Sequence, residues 1–309
     1  MEVLHADRCR TLGELIRAAD AEELSLPAGL DVAQTSRSFA LAARRLEGAG
    51  VAASAPAYGF WVPGRVEVAG KHTDYAGGRS LLCAVTRGFY AVSAERDDAL
   101  FRVHVSFGLS GAQADATLQL HPEPAPSGEA EASGAAVQEW IKYPAAVARR
   151  LTRNWGPLLG VELALECDLP EGSGLSSSSA MITLSFLALA TRNRLASRPA
   201  FPLLLPTDER LCHYLGCIEN GHDCGPELPG AQGVGTFGGS EDHTAIVCCR
   251  QSELRQYSFC PTRLEATVAF PDGLRLIIAV SGAVARKGGE RMEDYNNAAL
   301  LAGWAAEAA

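Results

Sequence analysis

The sequence LPEGSGLSSSSAMITLSFLAL occupies residues 169–189. It follows VELALECDL (161–169), which is typical of a strand, and its apolar second half predicts a buried helix. Two glycines and a run of four adjacent serines fill the junction between them. At such a junction backbone N–H groups converge where the helix begins, and the positive end of the helix dipole faces an anion. The stretch therefore predicts a strand–loop–helix unit that binds phosphate.

The loop of this unit supplies the predicted phosphate-binding residues. Glycine lets the backbone approach a phosphate without an intervening Cβ, and serine hydroxyls can cap N–H groups or ligate magnesium. The Gly-Lys-Ser/Thr ending of the P-loop is absent, and a serine N-cap after a flexible turn is the alternative interpretation. The predicted set is Gly172, Ser173, Gly174, Leu175, Ser176, Ser177 and Ser178.

The overall composition is that of a globular protein with an acidic balance. The 309 residues are 47% hydrophobic and 20% charged, with a formal net charge of −9, and this length predicts about two domains. We expect no nucleic-acid partner, because such a surface requires clustered Lys and Arg. The N-terminus resembles no signal peptide, and no run approaches the roughly 18 apolar residues of a membrane helix, so we expect no membrane partner.

The nine cysteines are odd in number and irregularly spaced. For a chain of this size without a secretion signal, this pattern predicts reduced thiols in the cytoplasm. The group CHYLGCIENGHDC (212–224) lacks a C-x2-C pair and a matching second half, which disfavours a structural zinc site.

Strands and helices occur without strict alternation, so the sequence predicts the α+β class. The amphipathic patterns predict helices, FRVHVSF and ATLQLHPE predict a hairpin, and a Pro/Ser/Gly/Glu stretch predicts a surface loop. The predicted elements are helices over 9–24, 32–48 and 208–221, strands over 101–107, 116–123 and (buried) 272–282, and the loop 122–134.

The segment GRVEVAGKHTDYAGG (64–78) places polar side chains and glycines between two apolar runs. The Asp74 carboxylate can accept two hydroxyl hydrogen bonds, and the His72 imidazole can donate or accept one. Arg65 can stabilise developing negative charge. The segment therefore suits a ligand bearing hydroxyls. The alternative is a solvated hairpin loop with Asp74 in an Asx-turn.

The segment GVGTFGGSEDHTAIVCC (233–249) places Glu241, Asp242 and His243 between a glycine loop and a predicted buried strand. A carboxylate that enters a strand after such a loop is a reasonable general base. A solvated turn is the alternative. The Cys248–Cys249 pair is expected to be buried in the strand.

Together these segments resemble a known family. PGRVEVAGKHTDYAGG (63–78) resembles the galactokinase signature, and LPEGSGLSSSSA (169–180) resembles the phosphate-binding motif of the GHMP kinases. CIENG (217–221), GGSEDHTAI (238–246) and the segment 280–298 follow in the order and spacing of that family. The chain is identified as a galactokinase-like sugar kinase of the GHMP kinase superfamily.

The resemblance implies transfer of the ATP γ-phosphoryl group to a sugar hydroxyl, with ATP and Mg²⁺ as cofactors and a small sugar as partner. It implies that Asp242 is the base and that Arg65 stabilises the hydroxyl or the transferring group. Ser178 and Glu219 would hold the magnesium ion. The substrate-binding residues that it implies are Lys71, His72, Asp74 and Tyr295.

The same resemblance implies two domains over about residues 58–300. An N-terminal α/β domain of the ribosomal-protein-S5-domain-2-like type would span 1–230, and the start of a ferredoxin-like C-terminal domain would span 231–309. Galactokinases carry a third glycine-rich motif further on, so we expect the second domain to be truncated and the chain to be a fragment of a full-length kinase. A remaining domain supplied by a partner and a degenerate protein are the alternatives.

Two departures from the galactokinase pattern affect the substrate. Lys71 replaces a glutamate that accepts a sugar hydroxyl, so a carboxylate acceptor becomes a cation that only donates. Glu67 stands where the family usually has Asn, and its spacing allows a pair with Lys71. The leading hypothesis is a galactokinase-like sugar 1-kinase. The alternatives are a kinase for an acidic sugar such as a uronic acid, and a non-catalytic sugar and ATP sensor.

Overall fold

The structure is a computed structural model that describes residues 9–70, 73–108, 110–120, 137–170, 172–279 and 290–308. Its strands form one mixed sheet, in the order β1-β2-β3-β6-β4-β5, with β7 paired to β3 and β8 paired to β7. The β4–β6 pair is parallel and the other pairs are antiparallel. The strands are β1 Arg10–Thr11, β2 Pro56–Ala69, β3 Arg79–Glu95, β4 Leu100–Phe107, β5 Ala112–Gln119, β6 Val161–Cys167, β7 Glu253–Ser258 and β8 Arg263–Ala269.

Helices cover both faces of this sheet. Thr11 caps the first helix through a capping box, and Asp31 caps the second through its carboxylate, which accepts the Gln34 N–H at 2.8 Å. The α-helices are α1 Leu12–Asp20, α2 Val32–Gly48, α3 Val137–Trp155, α4 Ser177–Arg192, α5 Ala200–Leu204, α6 Asp208–Asn220, α7 Glu241–Cys248 and α8 Glu290–Glu307. The α+β class is confirmed.

Alternation along the central strands creates two apolar cores. Trp61 and Tyr90 face α1 and α2, where Phe39 packs edge-on against Tyr90 with 5.9 Å between ring centroids. Phe60 and Phe89, one residue away on the same strands, face the opposite side and the helices α3, α4, α6 and α7. Because side chains of a strand alternate between faces, continuous apolar runs here mean burial on both sides.

The long strand β3 joins the parts that form the site. Its first residues, Arg79–Leu82, pair with β7, and its last residues, Phe89–Glu95, pair with β6. On the other side of β3 near its start, residues Arg65–Ala69 of β2 pair with Leu81–Ala84 of β3. The strand that leads into the glycine–serine loop and the strand that follows α7 therefore share one scaffold.

Two predicted strands are wrong. The first is the predicted strand that follows the loop at 233–239, because residues 241–248 form helix α7 instead. Their backbone groups are satisfied within the helix, and Thr244 Oγ1 donates to Ser240 O at 2.7 Å. The Cys248 and Cys249 thiols are buried as expected, but at the end of this helix. The segment 271–279 is not a strand, and Leu274 and Ile277 expose 58% and 86% of their surface.

The predicted hairpin is confirmed as β4 and β5, paired from Leu100↔Gln119 to Phe107↔Ala112. The predicted loop 122–134 lies outside the described residues. Residues on either side of the predicted boundary near 230 belong to one core, which includes Ile218 and Ile246. None of the helices in the described part of the chain combines the length and the apolar character that crossing a bilayer requires.

Candidate active site

Three segments that are distant in sequence meet around one ion pair. Arg65 Nη2 lies 2.5 Å from Asp242 Oδ1, and Arg65 Nε donates to the same oxygen at 2.6 Å. Arg65 Nη1 donates to the carbonyl of Gly174 at 2.6 Å. The guanidinium on β2 therefore links the first turn of α7 to the glycine–serine loop. Burial alone would lower the pKa of Arg65, but the Asp242 carboxylate raises it, so the guanidinium keeps its charge.

The backbone of β2 explains how Arg65 reaches this position. The register with β3 shifts between Pro63 and Arg65, which is a β-bulge that changes where the following side chain points. Between them, Gly64 packs against the loop, where an added Cβ would lie 2.9 Å from Leu175 O. The Arg65 N–H donates to that same carbonyl at 3.2 Å. A larger residue at 64 would separate the strand from the loop.

Ser176 has a left-handed backbone with φ 57°, which is uncommon for a residue with a Cβ. It precedes α4, and its side chain makes no capping hydrogen bond. Its hydroxyl instead donates to Asp242 Oδ2 at 2.5 Å. A strained backbone that presents a polar group to another segment is typical of functional sites. The N-cap alternative therefore does not describe Ser176.

The remaining loop residues lie between β6 and the first turn of α4. Gly172 and Gly174 have φ values of 63° and 73°, so both need the conformational freedom of glycine. Ser177 is exposed at the start of α4, whereas the Ser178 side chain is buried. The predicted loop residues are thus contiguous around the helix start, and their role in binding phosphate stays a prediction.

Glu219, the predicted magnesium ligand, lies near the end of α6. Its Oε2 accepts a hydrogen bond from Ser179 Oγ at 3.0 Å and lies 3.0 Å from His243 Nε2. Ser179 Oγ is also 3.4 Å from Asp242 Oδ2. The hydroxyl that joins Glu219 to Asp242 thus belongs to Ser179, one residue after the predicted Ser178. Carboxylate and hydroxyl oxygens are the ligands that Mg²⁺ prefers, so this pair fits the ion.

Asp74 is buried and supports the start of α7. Its Oδ2 accepts the backbone N–H of Glu241 at 3.1 Å. Gly239 makes room for this contact, because an added Cβ there would lie 2.1 Å from Asp74 Oδ2. Burial raises the pKa of Asp74 to about 6. The solvated-loop alternative for Asp74 is wrong, since only 6% of its surface is exposed.

Glu241 is a second buried carboxyl group next to Asp242. Its Oε2 accepts a hydrogen bond from Ser80 Oγ at 2.9 Å. Burial raises the pKa of Glu241 to about 9, and a hydrogen bond with Glu67 and the charge of Asp74 act in the same direction. Two adjacent carboxyl groups therefore differ: Asp242 pairs with a cation, while Glu241 holds its proton at neutral pH.

Three predicted substrate-binding side chains lie outside the described residues. Lys71 and His72 fall in a gap of the description, and Tyr295 belongs to α8, where its side chain is not described. The neighbouring Asn296 anchors α8 beside the loop before α7. Its Oδ1 accepts the Phe237 N–H at 2.8 Å.

Sequence reasoning missed two parts of this arrangement. Ser80 binds Glu241 from β3, and no motif around Ser80 indicates this contact. His243 was noted only as a neighbour of Asp242, yet it is fully buried against Glu219. The position of His243 directly after the candidate base was the available signal, because consecutive residues of a helix point about 100° apart.

Comparison with known proteins gives two family matches. Residues 51–95 match the galactokinase galactose-binding signature, and residues 142–226 match the N-terminal domain of the GHMP kinases. The galactokinase of Streptomyces coelicolor is 29% identical over 226 residues, which cover 71% of this chain and 49% of that protein. The galactokinase of Exiguobacterium sibiricum is 34% identical over 125 residues, which cover 40% of this chain and 29% of that protein.

Among solved structures, the Lactococcus lactis galactokinase complexed with galactose is 21% identical. The match has a TM-score of 0.49 and covers 74% of this chain and 51% of that one. The chain spans less than half the length of the two curated relatives above. The matched regions contain Arg65, Asp74 and the glycine–serine loop.

Proposed function

Because this chain is a galactokinase-like member of the GHMP kinase superfamily, we propose that it transfers the γ-phosphoryl group of ATP to a hydroxyl of a small sugar. The observation that carries the proposal is the contact of Arg65 with both Asp242 and Gly174. It joins a candidate base to the loop where phosphate would bind. Phosphoryl transfer depends mainly on such positioning and on neutralisation of charge.

In the proposed reaction the Asp242 carboxylate takes the proton of the sugar hydroxyl. The hydroxyl oxygen then forms a bond to the γ-phosphorus, and the bond from that phosphorus to the β–γ bridging oxygen breaks to release ADP. Arg65 stabilises negative charge on the hydroxyl or on the transferring group. At about 4 Å and an effective dielectric constant near 20, one such charge pair is worth roughly 4 kcal/mol.

The backbone N–H groups at the start of α4 would bind the phosphates, assisted by the helix dipole. Glu219, with the hydroxyl of Ser178 or of Ser179, would hold magnesium, which when bound neutralises charge between the β- and γ-phosphates. Buried His243 keeps the Glu219 carboxylate in place from the other side.

For the substrate we propose galactose or a related sugar, phosphorylated at C1, with Asp74, His72 and Tyr295 as its contacts. Lys71 supports a second candidate, a uronic acid, because a lysine ammonium can pair with a sugar carboxylate. Galactose and galacturonate differ only at C6, so they form a matched pair for this question.

The test is to incubate the purified chain with magnesium-ATP and either galactose or galacturonate and to measure ADP release. Turnover of galactose supports the first substrate, and turnover of galacturonate alone supports the second. Asp242→Asn should lower turnover by about 10²–10⁴-fold while ATP still raises the melting temperature. If both sugars raise the melting temperature and neither releases ADP, the kinase proposal is wrong and a sensor function replaces it.

A further inference from the structure

A cluster of metal-ligating side chains lies on α6 and in the segment that follows it, outside the contacts around Arg65 and Asp242. His213, Cys217 and Cys224 place one ring nitrogen and two sulfur atoms within 4.8 Å of one another. Cys217 Sγ lies 3.7 Å from a His213 nitrogen, Nε2. Neither the proposed kinase reaction nor the galactokinase resemblance gives these three side chains a role.

The fold prepares this cluster by local geometry. His213 and Cys217 are one helical turn apart on α6, so their side chains lie on the same face. The helix ends at Gly221, whose φ of 87° turns the chain back on itself. The returning segment is held against α6 by Arg210 of that helix, whose Nη2 donates to Cys224 O at 2.8 Å. Cys224 is thereby brought beside a helix that it follows in sequence.

The spacing and chemistry of the three atoms suit a tetrahedral ion. Zinc bonds of about 2.3 Å to sulfur and about 2.0–2.1 Å to nitrogen imply ligand atoms roughly 3.5–3.8 Å apart. The Cys217–His213 distance of 3.7 Å falls in this range. Two thiolates would neutralise a divalent ion, so the site as a whole would carry no net charge.

An entry route for an ion is also present. His213 is exposed while both sulfur atoms are buried. His213 and Cys217 line a cavity of about 450 Å³, which Trp304 of α8 also lines. The cavity leaves room for water beside the two side chains, as a zinc site with three protein ligands requires.

We propose that His213, Cys217 and Cys224 bind a zinc ion, with a water from the adjoining cavity as its fourth ligand. On binding, each thiol releases its proton to solvent and the imidazole contributes a lone pair. The ion ties the end of α6 to the segment that follows it. Glu219 lies two residues after Cys217, so the ion also fixes the helix end that presents this carboxylate.

The test measures metal content of the full chain purified under reducing conditions. After dialysis against Zn²⁺ and removal of excess, we expect one zinc per chain by elemental analysis. With Co²⁺ we expect sulfur-to-metal charge-transfer absorption. Cys224→Ser should lose both signals, and His213→Gln, at an exposed position, should weaken zinc binding at least tenfold while remaining folded by circular dichroism.

Cys212→Ala is the matched control, since Cys212 is a buried thiol on the same helix that contacts Cys248 instead. It should keep one zinc per chain. The proposal is overturned if reduced protein binds no stoichiometric zinc, if Cys212→Ala loses as much zinc as Cys224→Ser, or if Cys217 and Cys224 form a disulfide under these conditions. These results are independent of turnover, so failure of the kinase proposal would not affect them.

Discussion

Arg65 and Asp242 lie 177 residues apart in sequence, yet the guanidinium holds one oxygen of the carboxylate through both Nε and Nη2, at 2.6 and 2.5 Å. The other oxygen accepts the hydroxyl of Ser176. Both oxygens of the candidate base are therefore oriented by side chains from separate segments. A base held this way is prearranged for proton transfer, and its loss should affect both activity and stability.

The first prediction concerns this ion pair. Asp242→Asn should lower kcat by about 10²–10⁴-fold, as loss of a general base does. It should also destabilise the fold by about 3 kcal/mol, because Arg65, with 13% of its side chain exposed, loses its counter-ion. Urea denaturation measures the second effect. Adding Arg65→Met should restore part of the stability, and if it lowers stability further, the ion pair is not the cause.

A second prediction separates the backbone of Ser176 from its hydroxyl. Ser176→Ala and Ser176→Gly both remove the contact with Asp242, but the left-handed φ of 57° is unfavourable for alanine and not for glycine. The glycine variant should therefore be more stable than the alanine variant by about 1 kcal/mol. Urea denaturation of both proteins gives this difference. Equal stability would mean that the backbone is not strained at this position.

The third prediction is a pH dependence caused by Glu241. Its pKa is about 9 in the folded protein, against the unperturbed value of 4.5 in the unfolded chain. Between these two pH values the folded state therefore holds one more proton than the unfolded state. Stability must then fall as pH rises, by up to about 1.4 kcal/mol per pH unit from this group. The raised pKa of Asp74 acts in the same direction below about pH 6.

Glu241→Gln removes this proton uptake. The variant should gain stability relative to the unmodified protein as pH rises from 5 to 8, measured by urea denaturation at each pH. Glu47→Gln, at an exposed position on α2, serves as the control and should leave the pH profile unchanged. A Glu241→Gln profile parallel to that of the unmodified protein would contradict the assignment.

A fourth prediction addresses substrate choice at Lys71. If its ammonium pairs with a sugar carboxylate, Lys71→Glu should lower kcat/KM for galacturonate relative to galactose by about ten- to a hundredfold. The measurement is ADP release with each sugar. An unchanged ratio would mean that position 71 does not contact the substrate.

The fifth prediction concerns Glu219 as the proposed magnesium ligand. Glu219→Gln should raise the Mg²⁺ concentration for half-maximal ADP release by about ten- to a hundredfold, since an anionic ligand is lost. Glu209→Gln, in the first turn of the same helix α6, should leave the Mg²⁺ requirement as it is. A similar shift in both variants would indicate a general effect on the helix.

Much of the fold follows from local patterns in the sequence. Helix α2, the β4–β5 hairpin and the end of α6 at Gly221 were predictable, because each depends on periodicity, capping or a glycine within a few residues. The segment 241–248 was predicted as a strand, since eight residues are too few for periodicity to distinguish the two structures. Its helical state depends on Asp74, which is distant in sequence and accepts the first N–H.

The site was predictable in its residue types but not in its contacts. The motifs indicated Arg65, Asp242 and the glycine–serine loop, and the structure brings these three together. The left-handed backbone of Ser176 could not be predicted, because a run of serines gives no sign of which one departs from the helix. The protonation state of Glu241 depends on its burial beside other carboxyl groups, and only the packed fold determines that burial.

The pairing of β3 has a consequence for synthesis on the ribosome. Its first residues, Arg79–Leu82, have β2 on one side, but their other neighbour is β7, which begins at Glu253. Until α7 and that strand have been translated, one shortly after the other, the nascent chain carries an open sheet edge on β3 and lacks Asp242. The earlier strands and the glycine–serine loop can already assemble, whereas the candidate base arrives late, together with the strand that closes this edge.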